Sequence, residues 1–91
     1  MQDGFEKFLE DKKYTRGAVR SRLSRANTAE ELIGTTLDTA VADDEEMYKA
    51  LLRIRDLDNN GNLQNAVRLY YEYWNGRKFP RLAEYERMTG R

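Results

Sequence analysis

The chain has no cysteine and no histidine. Without cysteine there is no disulfide framework and no thiolate to act as nucleophile or metal ligand. Without histidine the commonest general base and the usual nitrogen ligand of zinc are gone as well. There is a single proline, and the six glycines stand apart from one another, so no glycine-rich loop is available to cradle a phosphate. No apolar run approaches the about 20 residues needed to span a bilayer. The opening MQDGFEKFLEDKK lacks the apolar centre of a signal peptide. Net charge is also missing, since 16 basic residues balance 16 acidic ones. A global pull toward nucleic acid is therefore absent, and only the local distribution of charge can supply one. These absences lead us to expect a cytoplasmic protein that is not an enzyme, carries no cofactor or metal and does not enter a membrane.

The 91 residues are enough for one domain, residues 1–91, and Met1 favours a whole protein over an excised piece. A chain of this size buries roughly 60–65% of its unfolded surface, so its core is modest. Apolar residues make up 40% and charged residues 35%, which is a charged surface over a small core rather than the composition of a disordered chain.

The apolar residues recur at helical spacing. Phe5, Phe8 and Leu9 form one stripe over residues 3–11. Thr15 is placed to cap a second helix running to about Ala26, with Val19, Leu23 and Ala26 on one face. Thr28 and Glu31 fit a capping box for a short third helix closed by Gly34. Residues 35–43 are open to either a helical turn or a packed loop. Asp43 to Glu46 place negative charge in a first turn, ahead of Met47, Ala50, Leu51 and Ile54. Asp58-Asn59-Asn60-Gly61-Asn62 is a turn. Leu63, Ala66, Val67, Tyr70 and Trp74 then form a stripe that ends at Gly76. Pro80 is read as the first residue of a last helix holding Leu82, Ala83, Tyr85 and Met88. Strand patterns are nearly absent. The fold expected is all-α, a compact orthogonal bundle of four main helices plus one or two short helices. Trp74 is expected at the edge of the core against Phe79 or Tyr85.

Asp56, Asp58, Asn60 and Gly61 match the first, third, fifth and sixth positions of a calcium loop. Such a loop needs a bidentate carboxylate at its twelfth position, and Val67 stands there. The stretch is therefore read as an interhelical turn rich in Asp and Asn.

Charge is segregated along the chain. Residues 14–29 hold Arg16, Arg20, Arg22 and Arg25 and no acid, except that residues 38–46 hold five acids and no base. Arg77, Lys78 and Arg81 form a second basic group at the turn into the last helix, whose N-terminus itself favours anions. Arginine meets phosphate bidentately and stays charged, so both groups are candidate phosphate contacts. Pairing of either group with the acidic segment, or with its equivalent on a partner, is the alternative. Tyr71, Tyr73 and Tyr85 are candidate interface aromatics for a protein partner. Of the run Tyr70 to Trp74, Tyr70 and Trp74 belong to the apolar stripe, and Tyr71 is the better placed for exposure.

Several of these segments together resemble the N-terminal helical core-binding (SAM-like) domain of tyrosine recombinases and phage integrases. The resemblance is carried by Phe5 to Leu9 (FEKFL), by Tyr14-Thr15 opening an arginine-rich helix with Val19 and Leu23, by the stripe from Met47 to Ile54, and by Asn65 to Tyr73 (NAVRLYYEY). It covers most of residues 5–76. It implies half of a clamp around duplex DNA, with Arg16, Arg20, Arg22 and Arg25 near phosphates and Arg68 as a further contact. It departs from the family in lacking the catalytic domain, in having zero net charge, and in turning into another helix after Gly76. Two functions follow as expectations: a DNA-binding accessory module of a phage or mobile element, or a regulator or inhibitor that docks on a larger protein. The residues do not fix an oligomeric state.

Overall fold

The computed structural model describes residues 1–58 and 60–91. Among them six helices form: α1 (Gly4–Asp11), α2 (Arg16–Ile33), α3 (Leu37–Val41), α4 (Asp44–Leu57), α5 (Asn62–Asn75) and α6 (Leu82–Met88). The described residues contain no strand. The architecture is the all-α bundle of four main and two short helices that the periodicity indicates.

Local chemistry sets most of the boundaries. Thr15 is extended and accepts from the Ala18 amide at 3.1 Å, opening α2. Thr36 caps α3 in the same way through the Thr39 amide, and Asp43 caps α4 through the Glu46 amide at 3.0 Å. Asp44, Glu45 and Glu46 then fill the first turn of α4, where negative charge meets the positive end of the helix dipole. Gly34 and Gly76 close α2 and α5 at φ of 75° and 73°, a left-handed conformation that costs a residue with Cβ. Between α4 and α5, Gly61 is left-handed and the Asn60 side chain accepts from the Asn62 amide at 2.9 Å. Asn59 of that turn lies outside the described residues.

Three expectations need correction. The proposed break at Thr28 does not occur, because α2 runs unbroken from Arg16 to Ile33. The Thr28 hydroxyl donates back to the Ser24 carbonyl, and Ala26 and Ala29 are both fully buried, so packing carries the helix through the cap-like sequence. Glu30 instead accepts from the Leu37 amide and ties the end of α2 to the start of α3. Pro80 precedes α6 rather than opening it; Arg81 is the N-cap residue, with ψ of 151°. The cause is Arg68, whose guanidinium takes the Phe79 and Pro80 carbonyls at 3.0 Å each and holds that strand of chain extended.

The third correction concerns α5. Tyr71 is fully buried and Trp74 is 37% exposed, the reverse of the expected order. The helix is covered on two sides, by α1 and α2 on one and by α3 and α4 on the other. Adjacent residues on a helix point about 100° apart, so both Tyr70 and Tyr71 are enclosed. Tyr71 takes the place against Phe79, meeting it edge-on at 5.1 Å. Trp74 is left stacked over Tyr70 at 6.2 Å, away from Phe79 and Tyr85.

The rest of the core follows the stripes. Phe5, Leu9, Leu37, Met47, Leu51, Ile54 and Val67 have no or almost no exposed surface. Each such burial is worth about 1.5–3 kcal/mol. Tyr70 and Tyr71, both without exposed surface, keep their hydroxyls satisfied. Tyr70 donates to the Asp38 carboxylate and accepts from the Gln2 amide at 2.9 Å; Tyr71 donates to Asp44 at 2.6 Å. On the other side of α4, Tyr48 donates to Glu86 and Tyr85 to Glu45, which fastens α6 down.

Tyr70→Phe leaves the Gln2 amide and Asp38 without their partner and is expected to cost about 1–3 kcal/mol in denaturant unfolding. Burial, with the bond to Asp44, pushes the Tyr71 hydroxyl up to about 12, and burial with the bond to Asp38 raises Tyr70. Tyrosine in the unfolded chain titrates near about 10. A raised pKa means that the unfolded state gives up its proton first. The contribution of these bonds is therefore complete below that value and is lost as pH rises through the folded pKa. Stability measured at several pH values should fall from pH ~10 upward, and Tyr71→Phe should shallow that fall.

Candidate nucleic-acid interface

The structure sorts the basic residues differently from their order in the chain. On α2, Arg16 and Arg20 are four apart and share one flank, while Arg22 and Arg25, three apart, share another. Arg16 and Arg20 are exposed and border a groove of about 460 Å3 together with Glu6, Glu10 and Tyr14. Arg22 folds over the Tyr14 ring, with its guanidinium carbon 4.1 Å from the ring centre, and donates to the Ala18 carbonyl. Its buried Nε has no hydrogen-bond partner. Arg25 is half-buried on the same flank as Arg22.

The second basic group is dispersed. Arg77 pairs with Asp44 at 3.3 Å and lies over the Tyr71 ring, so its charge is engaged within the molecule. This realises the alternative of pairing with the acidic segment for Arg77. Arg81 is exposed at the start of α6, a helix too short to make its N-terminus an anion site. Lys78 turns the other way and lines a cavity of about 260 Å3 with Lys12, Tyr14, Arg68 and Glu72. Arg68 is held by its two carbonyl bonds and bears on the α5–α6 connection.

Tyr14 borders both the groove and the cavity and carries Arg22 on its ring. A basic band therefore crosses the α1–α2 turn, from Arg20 and Arg16 through Arg22 to Lys12, Arg68 and Lys78. Glu6, Glu10 and Glu72 lie along it, and Glu72 is paired with Lys12 at 2.7 Å. None of Arg16, Arg20, Lys78 or Arg81 is in an ion pair among the described residues. The turn also holds Lys13, which reading of the sequence overlooked. It is the only residue other than glycine with positive φ among the described residues, at 69°. The signal available was the pair Lys12-Lys13 between the last apolar residue of α1 and the cap of α2, which reads locally as nothing more than a helix end.

The acids behave differently. Asp38, Asp44, Glu45 and Glu86 each accept from a tyrosine hydroxyl, Asp43 caps α4, and Glu30 accepts from the Leu37 amide. Arg91 adds an ion pair to Glu45. The proposed interface tyrosines are affected directly. Tyr71 and Tyr85 are buried by these bonds and by their contacts with Phe79, which corrects their placement on an interface, whereas Tyr73 is half-exposed beside Trp74 and Gln2.

The Asp56 to Val67 stretch contains no acid at the position a calcium loop requires, and Val67 is fully buried. No group of three or more acids, histidines or cysteines fit to hold a metal occurs among the described residues. No helix among them is long and apolar enough to cross a membrane. A scan against protein-family models, a search of curated proteins and a search of solved structures each found no match.

The two kinds of arginine separate by mutation. Arg68→Ala frees two carbonyls and should cost about 1–3 kcal/mol by chemical denaturation. Arg16→Ala touches nothing in the core and should stay within about 0.5 kcal/mol of the parent protein.

Proposed function

We propose that this chain is a non-catalytic helical module that contacts the phosphates of duplex DNA, as the resemblance to recombinase core-binding domains implies. The observation that carries the proposal is the basic band at the α1–α2 turn, set against Asp38, Asp43, Asp44 and Glu45, which are engaged in capping, in tyrosine bonds and in internal ion pairs. Zero net charge does not oppose it, because contact depends on the field over one face within about 10 Å at ordinary salt. The backbone at Lys13 adds to it. A left-handed residue with Cβ costs roughly 1–2 kcal/mol, and glycine would remove that cost while also removing the charge. Strain kept at such a position points toward use of the side chain.

A protein-docking role rests on Trp74, the single tryptophan, which is 37% exposed and borders a shallow hollow with Gln2 and Tyr73. Trp74 lies outside both basic cavities, so its emission distinguishes the two roles. DNA landing on the α1–α2 turn leaves the emission unchanged; a protein landing on Tyr73 and Trp74 shifts it to the blue.

Anisotropy of a labelled duplex across a salt series tests the DNA role. Three to five phosphate contacts give a log–log slope of about −3 to −4.5. Arg16→Ala with Arg20→Ala should flatten it by up to about 1.8. Lys13→Gly should weaken DNA binding while holding or raising the melting temperature. Absence of binding at low salt would remove the proposal.

A further inference from the structure

We infer that the cavity between the α1–α2 turn, α5 and the α5–α6 connection is a phosphate site, in which Arg68, Lys78 and Lys12 receive one tetrahedral oxyanion. Its lining brings three cations together against one carboxylate, Glu72. The three come from separate parts of the chain. Lys12 ends α1, Arg68 lies within α5, and Lys78 lies in the segment before α6.

Arg68 is the centre of the site. Its guanidinium is half-buried and fixed by the Phe79 and Pro80 carbonyls through one terminal nitrogen. No carboxylate pairs with it among the described residues. Guanidinium carries five donors, so one nitrogen held by carbonyls leaves others for a planar or tetrahedral anion. Burial alone lowers its pKa, with no neighbouring acid to oppose the shift. The group stays protonated. Lys78 is exposed at the mouth and has no partner, so it is free to close on an anion. Lys12 is held on Glu72 at 2.7 Å, and an arriving phosphate would compete with that carboxylate for it. Asn65 adds an amide donor at the rim. The carbon walls are Tyr14, Leu69 and Phe79, and the Phe79 ring lies 5.9 Å from the Arg68 guanidinium carbon.

The phosphate can belong to a nucleic-acid backbone or be free in solution, and the chemistry of recognition is the same for both. The backbone source rests on the DNA role proposed above; the site itself does not. The test titrates the 15N-labelled 91-residue chain with inorganic phosphate at constant ionic strength, with chloride as the control. Saturable shifts at the Asn65, Leu69 and Phe79 amides, absent with chloride, are expected. Lys78→Gln touches no internal partner and should weaken the midpoint about three- to fivefold, and Glu72→Gln, which removes the competing carboxylate, should tighten it by a similar factor. The same Lys78→Gln variant is then measured on duplex DNA. A salt slope reduced by about 0.9 identifies a backbone phosphate as the occupant. An unchanged slope with saturable phosphate binding keeps the site and assigns it to free phosphate. No saturable shift together with an unchanged slope overturns the inference. The DNA role is judged separately, by whether Arg16→Ala with Arg20→Ala alters the slope.

Discussion

The interaction on which the rest of this structure depends is the hydrogen bond between a buried tyrosine and a surface carboxylate. α5 places Tyr70 and Tyr71 side by side with no exposed surface. Two adjacent residues on a helix can both be enclosed only if the helix is covered on two sides. Each hydroxyl must then find a partner at the edge of the core, since an unpaired buried hydroxyl costs about as much as several methylenes of burial gain. Asp38 on α3 and Asp44 at the start of α4 are those partners. The same device recurs between α4 and α6, where Tyr48 and Tyr85 reach Glu86 and Glu45. Four phenol–carboxylate bonds thus tie α5 to α3 and α4, and α4 to α6, between segments far apart in the chain.

This arrangement redistributes charge. The acidic segment looks like a solvated patch in one dimension, but in three it is the outer ring of the core. Its carboxylates accept from phenols, cap α4, or pair with Arg77 and Arg91. Among the basic residues Lys12, Arg22, Arg53, Arg68, Arg77 and Arg91 have internal partners, whereas Arg16, Arg20, Lys78 and Arg81 are in no ion pair among the described residues. A chain with formal net charge zero therefore gathers cations at the α1–α2 turn, interspersed with Glu6, Glu10 and Glu72, because the acids of the 38–45 segment are engaged elsewhere. Net charge is a poor guide to binding in a protein whose acids serve the packing of its aromatics.

What was legible in the sequence was what short-range chemistry decides. Thr15 caps α2 because a hydroxyl three residues before an amide reaches it regardless of the rest of the fold, and the acids from Asp43 on mark the start of α4 through the helix dipole. Gly76 ends α5 for an equally local reason, and the stripe Phe5, Phe8, Leu9 faces inward because of helical period alone. Reading failed where distant groups compete with local ones. Thr28 and Glu31 satisfy the pattern of a capping box, yet burial of Ala26 and Ala29 keeps α2 intact, and Glu30 rather than Glu31 makes the connection to α3. Pro80 is well suited to a first helical turn, but Arg68 claims its carbonyl. Tyr71 and Trp74 exchange places because Phe79 arrives from beyond the helix, a contact that helical period does not encode. For the candidate interface, arginine clusters in the chain were a partial guide. Arg16 and Arg20 remain together, Arg22 and Arg25 turn to another flank, and Arg77, Lys78 and Arg81 part company.

The members missed were Lys12 and Lys13, and the reason they were missed bears on where function sits in this fold. Residues chosen for folding repeat the pattern of their element, so periodicity finds them. Residues at a turn have no period to obey and are visible only through what surrounds them. Tyr14 is the clearest case. By sequence it is the residue before a helix cap; in space it separates a groove from a cavity and supports an arginine on its ring. Lys13 beside it adopts a backbone conformation that its side chain makes unfavourable. A turn that only had to reverse the chain would be better served by glycine, as at Gly34 and Gly76. That this turn instead carries two lysines and a tyrosine, where the reversals after α2 and α5 carry left-handed glycine, separates it from those two on energetic grounds rather than on charge alone.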